Sequence, residues 1–277
     1  MKNALLVLLV IIGGCYLGQA QDDKVKGDRN VTVKQTYVNE FTGLVVNNDF
    51  EVDIVFNSKP SVEIEADDNL HEVIQFDVNN GILTFTAGKR ITSKRKLHIT
   101  VNYSVPLTFI EVNESAELRS LTSLELGDLE LKTTGNSRTY LNVNAKQFSY
   151  NAIDKSRMRL NLTADSTAFI LSDDVKVDAL VNSKITKFDL YQDADATIEG
   201  TVGAGELRLD NSSNFNGKNF TLKTANLLVE GNSDLSIMVT EDVVLSASGG
   251  SEVYLYGEPK ITLQKFTGTA KLQKKEL

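Results

Sequence analysis

The sequence predicts an all-β chain wound as a β-solenoid, and three observations carry that prediction. First, Val243, Leu245, Ala247, Gly249, Ser251, Val253, Leu255 and Gly257 fill every odd position through a Ser-Gly-Gly-Ser bend. Alternation of period two marks a half-buried strand, and its survival through the bend joins two strands on one buried face. Second, the pattern recurs around Ser137, Ser156, Ser183, Ser213 and Ser233, with a faint copy at Ser115; the intervals from Ser137 to Ser251 are 19, 27, 30, 20 and 18 residues. Units of ~20 residues cannot bury an apolar face alone and therefore stack. Third, no amphipathic helical pattern interrupts the strands, Trp is absent, and Pro occurs only at positions 60, 106 and 259. A β-sandwich also has short strands at regular intervals, but it would not keep one parity through six bends.

Residues 1–20 read as a signal peptide. Lys2 gives the charged start, Ala4 to Ile12 the apolar run, and Gly18-Gln19-Ala20 a small-x-small cleavage site. The run is too short for a mature membrane span, and no later stretch is long enough for one. Ile12-Gly13-Gly14-Cys15 also fits a lipobox, so lipidation at Cys15, giving a lipid anchor, stands beside simple cleavage.

Residues 21–36 are polar and read as a flexible leader. Over 37–108 an N-terminal β region is expected: strands flank Asn47-Asn48-Asp49, a short helical turn follows Asp67 or Asp68, and a hairpin turns at Asn79-Asn80-Gly81. The basic run 89–96 has no interleaved aromatics and reads as a solvated turn. The repeat solenoid occupies 109–261, and 262–277 form a C-terminal cap strand and tail. Two strand-like pieces in the long intervals, 165–171 and 195–200, suggest a third side or an outer bulge.

The 277 residues include 41% hydrophobic positions, enough for a sizeable core, and carry a net charge of −8, which argues against nucleic acid as a partner. Cys15 is the only cysteine and His71 and His98 the only histidines, so no zinc cluster forms at any usual spacing. The paired aspartates 67–68 and 173–174 lack calcium-loop spacing. No metal or other cofactor is implied. The repeated serines have no base within reach and are corner spacers that satisfy local backbone groups.

Phe41 to Ile54, Val62 to Leu70, the small-x-Ser corners and Gly250 to Ile261 together resemble the GIN-domain family, the putative auto-transporter adhesin head of bacteria. The resemblance covers about residues 37 to 261. It implies a right-handed single-stranded β-helix exported in a Gram-negative bacterium, with no established activity.

Function is expected on the outward parity. The residues after the corner serines are Arg138, Arg157, Lys184, Asn214, Asp234 and Glu252, so one face runs from basic to acidic. Arg138, Tyr140, Arg157, Arg159 and Lys184 are the candidate site, the cations for a carboxylated or sulfated glycan and Tyr140 as a stacking surface. The reading is an exported, non-enzymatic adhesin or cell-envelope binding module in the periplasm or at the cell surface, its partner a surface glycan or another envelope protein. A head-to-tail homo-oligomer is the further option. The alternatives are a purely structural envelope protein and a polysaccharide lyase or glycosidase built on Asp189, Asp193 and Asp195 with Asp173 or Asp174.

Overall fold

Alternating sequence leaves each strand with one apolar face and two backbone edges to satisfy, and stacking coil upon coil satisfies all three at once. The structure, a computed structural model, describes residues 24–276. Cys15 and the expected cleavage site after Ala20 lie outside the described residues. The N-terminal elements are β1 (Lys24–Lys26), β2 (Val31–Tyr37), β3 (Gly43–Val46), β4 (Glu51–Phe56), β5 (Ser61–Asp67), β6 (Ile74–Asn79), β7 (Ile82–Ala87), β8 (Arg90–Ser93) and β9 (Leu97–Tyr103). Next come β10 (Phe109–Val112), β11 (Glu117–Ser120), β12 (Leu124–Glu125) and β13 (Asp128–Thr133). Six long strands follow: β14 (Arg138–Ala152), β15 (Arg157–Leu171), β16 (Lys176–Leu190), β17 (Asp195–Leu209), β18 (Asn214–Val229) and β19 (Asp234–Ala247). The series ends with β20 (Glu252–Tyr256), β21 (Lys260–Phe266) and β22 (Lys271–Lys275).

Every long strand pairs in parallel with the next, and from β14 to β17 the offset is 19 residues throughout, with Arg138 opposite Arg157, Arg157 opposite Lys176 and Lys176 opposite Asp195. The result is a β-solenoid of about nine turns. Each coil has two limbs and two corners. One corner, centred on Lys146 in β14 and on Lys184 in β16, flips the buried parity: Val143 and Phe148 both face inward although five residues apart. The other corner keeps it, with Ala152 and Ser156 both buried.

That second corner explains the repeat. One residue in each turn takes a left-handed backbone: Gly135, Asp154, Asp173, Gln192, Asn211, Gly231, Gly249 and Gly268 all have positive φ. Two residues on, a buried residue closes the turn: Ser137, Ser156, Val175, Ala194, Ser213, Ser233 and Ser251. The intervals of 27 and 30 residues are thus three ordinary coils whose parity-keeping corners fall at Val175 and Ala194, and Ser183 belongs instead to the parity-flipping corner beside Lys184. The pieces 165–171 and 195–200 are ordinary limbs inside β15 and β17. The faint copy at Ser115 is a genuine coil with Ala116 as its buried corner.

Because Val and Ala serve in place of Ser, the position selects for a compact side chain. Ser156 and Ser213 do donate to the carbonyls of Ile153 and Asp210, each at 3.1 Å. Ser137 and Ser251 have no hydrogen-bond partner for the hydroxyl. The serine therefore satisfies local backbone groups in only some coils.

Inside, like stacks on like. Phe169 and Phe188 lie parallel with ring centroids 4.4 Å apart, Tyr150 packs edge-on to Phe169, and Phe215 edge-on to Phe188. Such contacts add to area burial in holding the register. Tyr150 is fully buried, its hydroxyl 2.8 Å from that of Thr133, and burial pushes its pKa up to about 12.

The N-terminal region closes one end. β3 and β4 form a coil in parallel with β10 and β11, and β7 and β9 lie beyond them, also in parallel. The hairpin expected at Asn79-Asn80-Gly81 joins antiparallel β6 and β7, and both Asn80 and Gly81 have positive φ, as a tight primed turn requires. β5 lies antiparallel between β9 and β2. The expected flexible leader is therefore partly strand: β2 completes this cap, and β1 pairs with β8, which also gives the basic run 89–96 strand structure.

The expected helical turn is the short 3-10 segment Asp68–Leu70, which Asp67 precedes without capping it. The Asp67 carboxylate instead accepts backbone N–H groups from Arg29, Arg95 and Lys96, tying the leader to the basic segment. A Cβ on Gly27 would meet this carboxylate at 1.8 Å, so the chain passes here only as glycine. Burial pushes the Asp67 pKa up, but the three backbone donors and the Arg95 charge outweigh it and hold the pKa below 3.8. A lowered acid pKa gives stability that is fully present above the unfolded value and lost as pH falls through the folded one. The melting-temperature gap between the native chain and Asp67→Asn should be widest above pH 3.8 and close as pH falls below it. A gap that stays constant from neutral pH to the acid limit would show that the charge of Asp67 carries none of this stability.

Gln192 is a longer side chain in a left-handed turn that its neighbours fill with Asp, Asn or Gly. Replacing it with glycine relieves the left-handed strain at some cost in chain entropy, a net gain of about 0.5–1 kcal/mol. Gln192→Gly should raise Tm by about 2 °C in a thermal melt; a lower Tm would mean that the glutamine side chain contributes more than its backbone costs.

Candidate functional site

Parallel pairing in fixed register turns each outward position into a column. One column, just past the parity-keeping corner, reads Glu51, Glu117, Arg138, Arg157, Lys176, Asp195, Asn214, Asp234, Glu252 and Lys271. The next outward column reads Asp53, Arg119, Tyr140, Arg159, Asp178 and Thr197. Between them Arg138, Tyr140, Arg157, Arg159, Lys176, Asp178, Asp195 and Thr197 line a cleft of about 290 Å³.

The structure thus brings together four of the five residues expected from sequence. Lys184 is the exception. It sits at the parity-flipping corner, on the rung of Lys146 and Asp165, and makes an ion pair with Asp165 at 2.7 Å. Its ammonium holds the Asp165 carboxyl below the ordinary range. Lys176 occupies the rung that Lys184 was expected to fill. Its corner residue is Val175 and not a serine, so serine identity does not mark Lys176, whereas a count of 19 residues from Arg157 does.

The column is also not a plain gradient from basic to acidic. The basic rungs lie between Glu117 and Asp195, and the acidic stretch ends in Glu252 paired with Lys271 at 2.6 Å. Asp234 stands beside Glu252, and burial together with that neighbouring charge pushes its carboxyl above the ordinary range.

Tyr140 has a role different from an open stacking surface. The guanidinium of Arg119 lies 5.3 Å from its ring centroid and that of Arg159 6.0 Å, one from each adjoining coil. The ring therefore orients two cations, an interaction of about 0.5–1 kcal/mol at exposed sites. Arg119 is neutralised by Glu117. Arg138, Arg157, Arg159 and Lys176 are exposed, and among the described residues none of the four has an ion-pair or hydrogen-bond partner for its side chain.

The carboxylates considered for glycoside hydrolysis are spread over two limbs and the turns that hold Asp173, Asp174 and Asp193. Asp189 lies on the second limb of β16, between Ile170 and Arg208, and pairs with Lys187 at 3.2 Å. Asp195 lies on the first limb of β17 and accepts from the Asn214 amide. Asp173 is itself a turn residue, accepting the Asp154 backbone N–H. His98 is bound to Asp53 at 3.0 Å and His71 to Thr32 at 3.0 Å. Among the described residues no group of three or more His, Cys, Asp or Glu side chains comes together, and no helix is long and apolar enough to cross a membrane.

Fold and face together define a class: a β-solenoid that displays side chains in regularly spaced outer columns. Within that class, the chain belongs to the family described as putative auto-transporter adhesin, head GIN domain, whose model matches residues 40–259. Solved structures with the same fold include a putative adhesin from Parabacteroides distasonis, at 19% identity and TM-score 0.71, covering 92% of this chain and 100% of that one. A putative adhesin from Parabacteroides merdae aligns at 17% identity and TM-score 0.68, covering 91% and 99% of the two chains. A structure described as a putative lipid binding protein from Parabacteroides distasonis aligns at 14% identity and TM-score 0.60, covering 91% and 99%. A comparison with curated proteins found no match.

Three like charges on adjacent rungs repel, and directly opposed like charges cost roughly 0.2–1 kcal/mol each. Arg157→Thr, which removes the middle charge, should raise Tm by about 1–3 °C at low salt. The gain should vanish in concentrated salt, where the Debye length falls to about 3 Å. A Tm that drops at low salt would show that the column is not under electrostatic strain.

Proposed function

We propose that this chain is an exported adhesin-type binding module whose basic column holds an anionic glycan. The observation that carries the reading is the row Arg138, Arg157 and Lys176, with Arg159 beside it, exposed and, among the described residues, in no ion pair even though Asp178 and Asp195 stand on neighbouring rungs. Other outward cations sit against acids, among them Lys184 against Asp165, Lys132 against Glu130 and Lys271 against Glu252. An unpaired row in such a protein is a place where a ligand supplies the missing charge. Guanidinium groups suit that task because they bind carboxylate or sulfate through two parallel hydrogen bonds.

Two further features support the reading. The family is one of adhesins by description, and Lys2, the apolar run from Ala4 to Ile12 and Gly18-Gln19-Ala20 give the start of the chain the form of an export signal. Export places the module in the periplasm or at the cell surface of a Gram-negative bacterium, where acidic polysaccharides are available as partners.

The double variant Arg157→Ser, Arg159→Ser removes two charge-assisted contacts, each worth about 1.5–3 kcal/mol. Its affinity for immobilised carboxylated or sulfated glycans should fall by at least about 100-fold, read as loss of retention on a glycan array or affinity column. Retention equal to that of the native chain would remove the basic column from the function and favour a purely structural envelope role.

A further inference from the structure

We infer that the ligand is a linear polyuronate, a polymer with a carboxylate on every sugar, lying across the strands along the solenoid axis. The inference rests on the anionic-glycan reading above and adds a spacing, a direction and a length to it.

Arg138, Arg157 and Lys176 are Cα partners on consecutive rungs. Their side chains therefore leave the backbone at the interstrand interval of ~4.8 Å. This interval is close to the advance of one pyranose along a 1,4-linked chain. A polymer running along the axis with one carboxylate per sugar meets one cation per sugar, whereas a polymer charged on alternate sugars reaches every second rung. A chain laid along a strand would meet a single cation of this column, or Arg157 and Arg159 on their strand, and then neutral side chains such as Asn142 or Asn161.

The length follows from the flanking residues. Glu117 precedes Arg138 in the column and Asp195 follows Lys176. Glu117 is engaged with Arg119, and Asp195 accepts from Asn214. Neither position adds a cation to the row, so a fourth or fifth uronate finds no further partner in the column. The row matches three consecutive uronates. Arg159, held against the Tyr140 ring, lies two residues along the strand from Arg157 and reaches the middle sugar from the side.

The test is calorimetric titration of the full chain at low salt with galacturonate oligomers, from monomer to pentamer. Hyaluronan oligosaccharides, which carry a carboxylate on alternate sugars, are titrated alongside at matched carboxylate number. Kd should fall about tenfold with the second uronate and about tenfold again with the third, then level off, and hyaluronan should bind more weakly at equal charge. Arg157→Thr should weaken the trimer much more than the monomer. Equal affinity for the two series, or Kd values that keep falling steadily to the pentamer, overturns the spacing inference while leaving anionic-glycan binding in place. No binding to either series, together with unchanged retention of the Arg157→Ser, Arg159→Ser variant on every anionic matrix, overturns both.

Discussion

The backbone ladder between coils is the constraint on which everything else in this molecule rests. It runs along the limbs and also through the turns, where Lys155 donates to Gly135, Asp174 to Asp154 and Gly250 to Gly231. A ladder continuous through the corners leaves little freedom in coil length. Where a coil departs from 19 residues the pairing itself shifts, as between Gly217 and Thr221 and between Leu222 and Thr224. The left-handed residue of each turn follows from the same requirement. It is the point where the chain reverses while keeping its N–H and C=O aimed at the neighbouring coils, so Gly, Asn and Asp, which tolerate that conformation, dominate there.

Fixed register also converts single residues into columns, with opposite consequences on the two faces. Inside, stacking like on like is favourable: Tyr150, Phe169 and Phe188 form a continuous aromatic file, and the hydroxyls of Thr167 and Thr186 pair at 2.7 Å. Outside, stacking like on like is unfavourable when the residues are charged. The parity-flipping corner shows the usual remedy, with Lys146, Asp165 and Lys184 alternating in sign. The Arg138, Arg157 and Lys176 row departs from that remedy. Sites of recognition commonly sacrifice local stability in this way.

The two ends of the solenoid are finished differently. At the N-terminal end the antiparallel layer of β2, β5 and β9 covers the first coil, and Asp67 fastens that layer to the segments around it. At the other end β21 pairs only with β19 among the described residues. Its inward-parity residues Ile261, Leu263 and Phe266 remain 42%, 51% and 41% exposed. Lysines crowd this end, at 260, 265, 271, 274 and 275. Charges of this kind discourage edge-to-edge pairing of an exposed strand.

By itself the sequence determined the class of fold, the buried parity and most of the basic row, because period-two alternation and a recurring turn are local properties. Arg138, Tyr140, Arg157 and Arg159 were legible from their distance to a neighbouring serine. What it could not supply was the coil count between Ser156 and Ser213, since Val175 and Ala194 satisfy the buried corner as well as serine does and leave no visible mark. The exchange of Lys184 for Lys176 follows directly from that. The two roles of Tyr140 and Asp67 were equally out of reach, because both depend on groups brought together from separate coils or strands. Only the inter-coil register decides which side chain lies over which. Register is set by backbone hydrogen bonding across a whole coil, a quantity that no short stretch of residues contains.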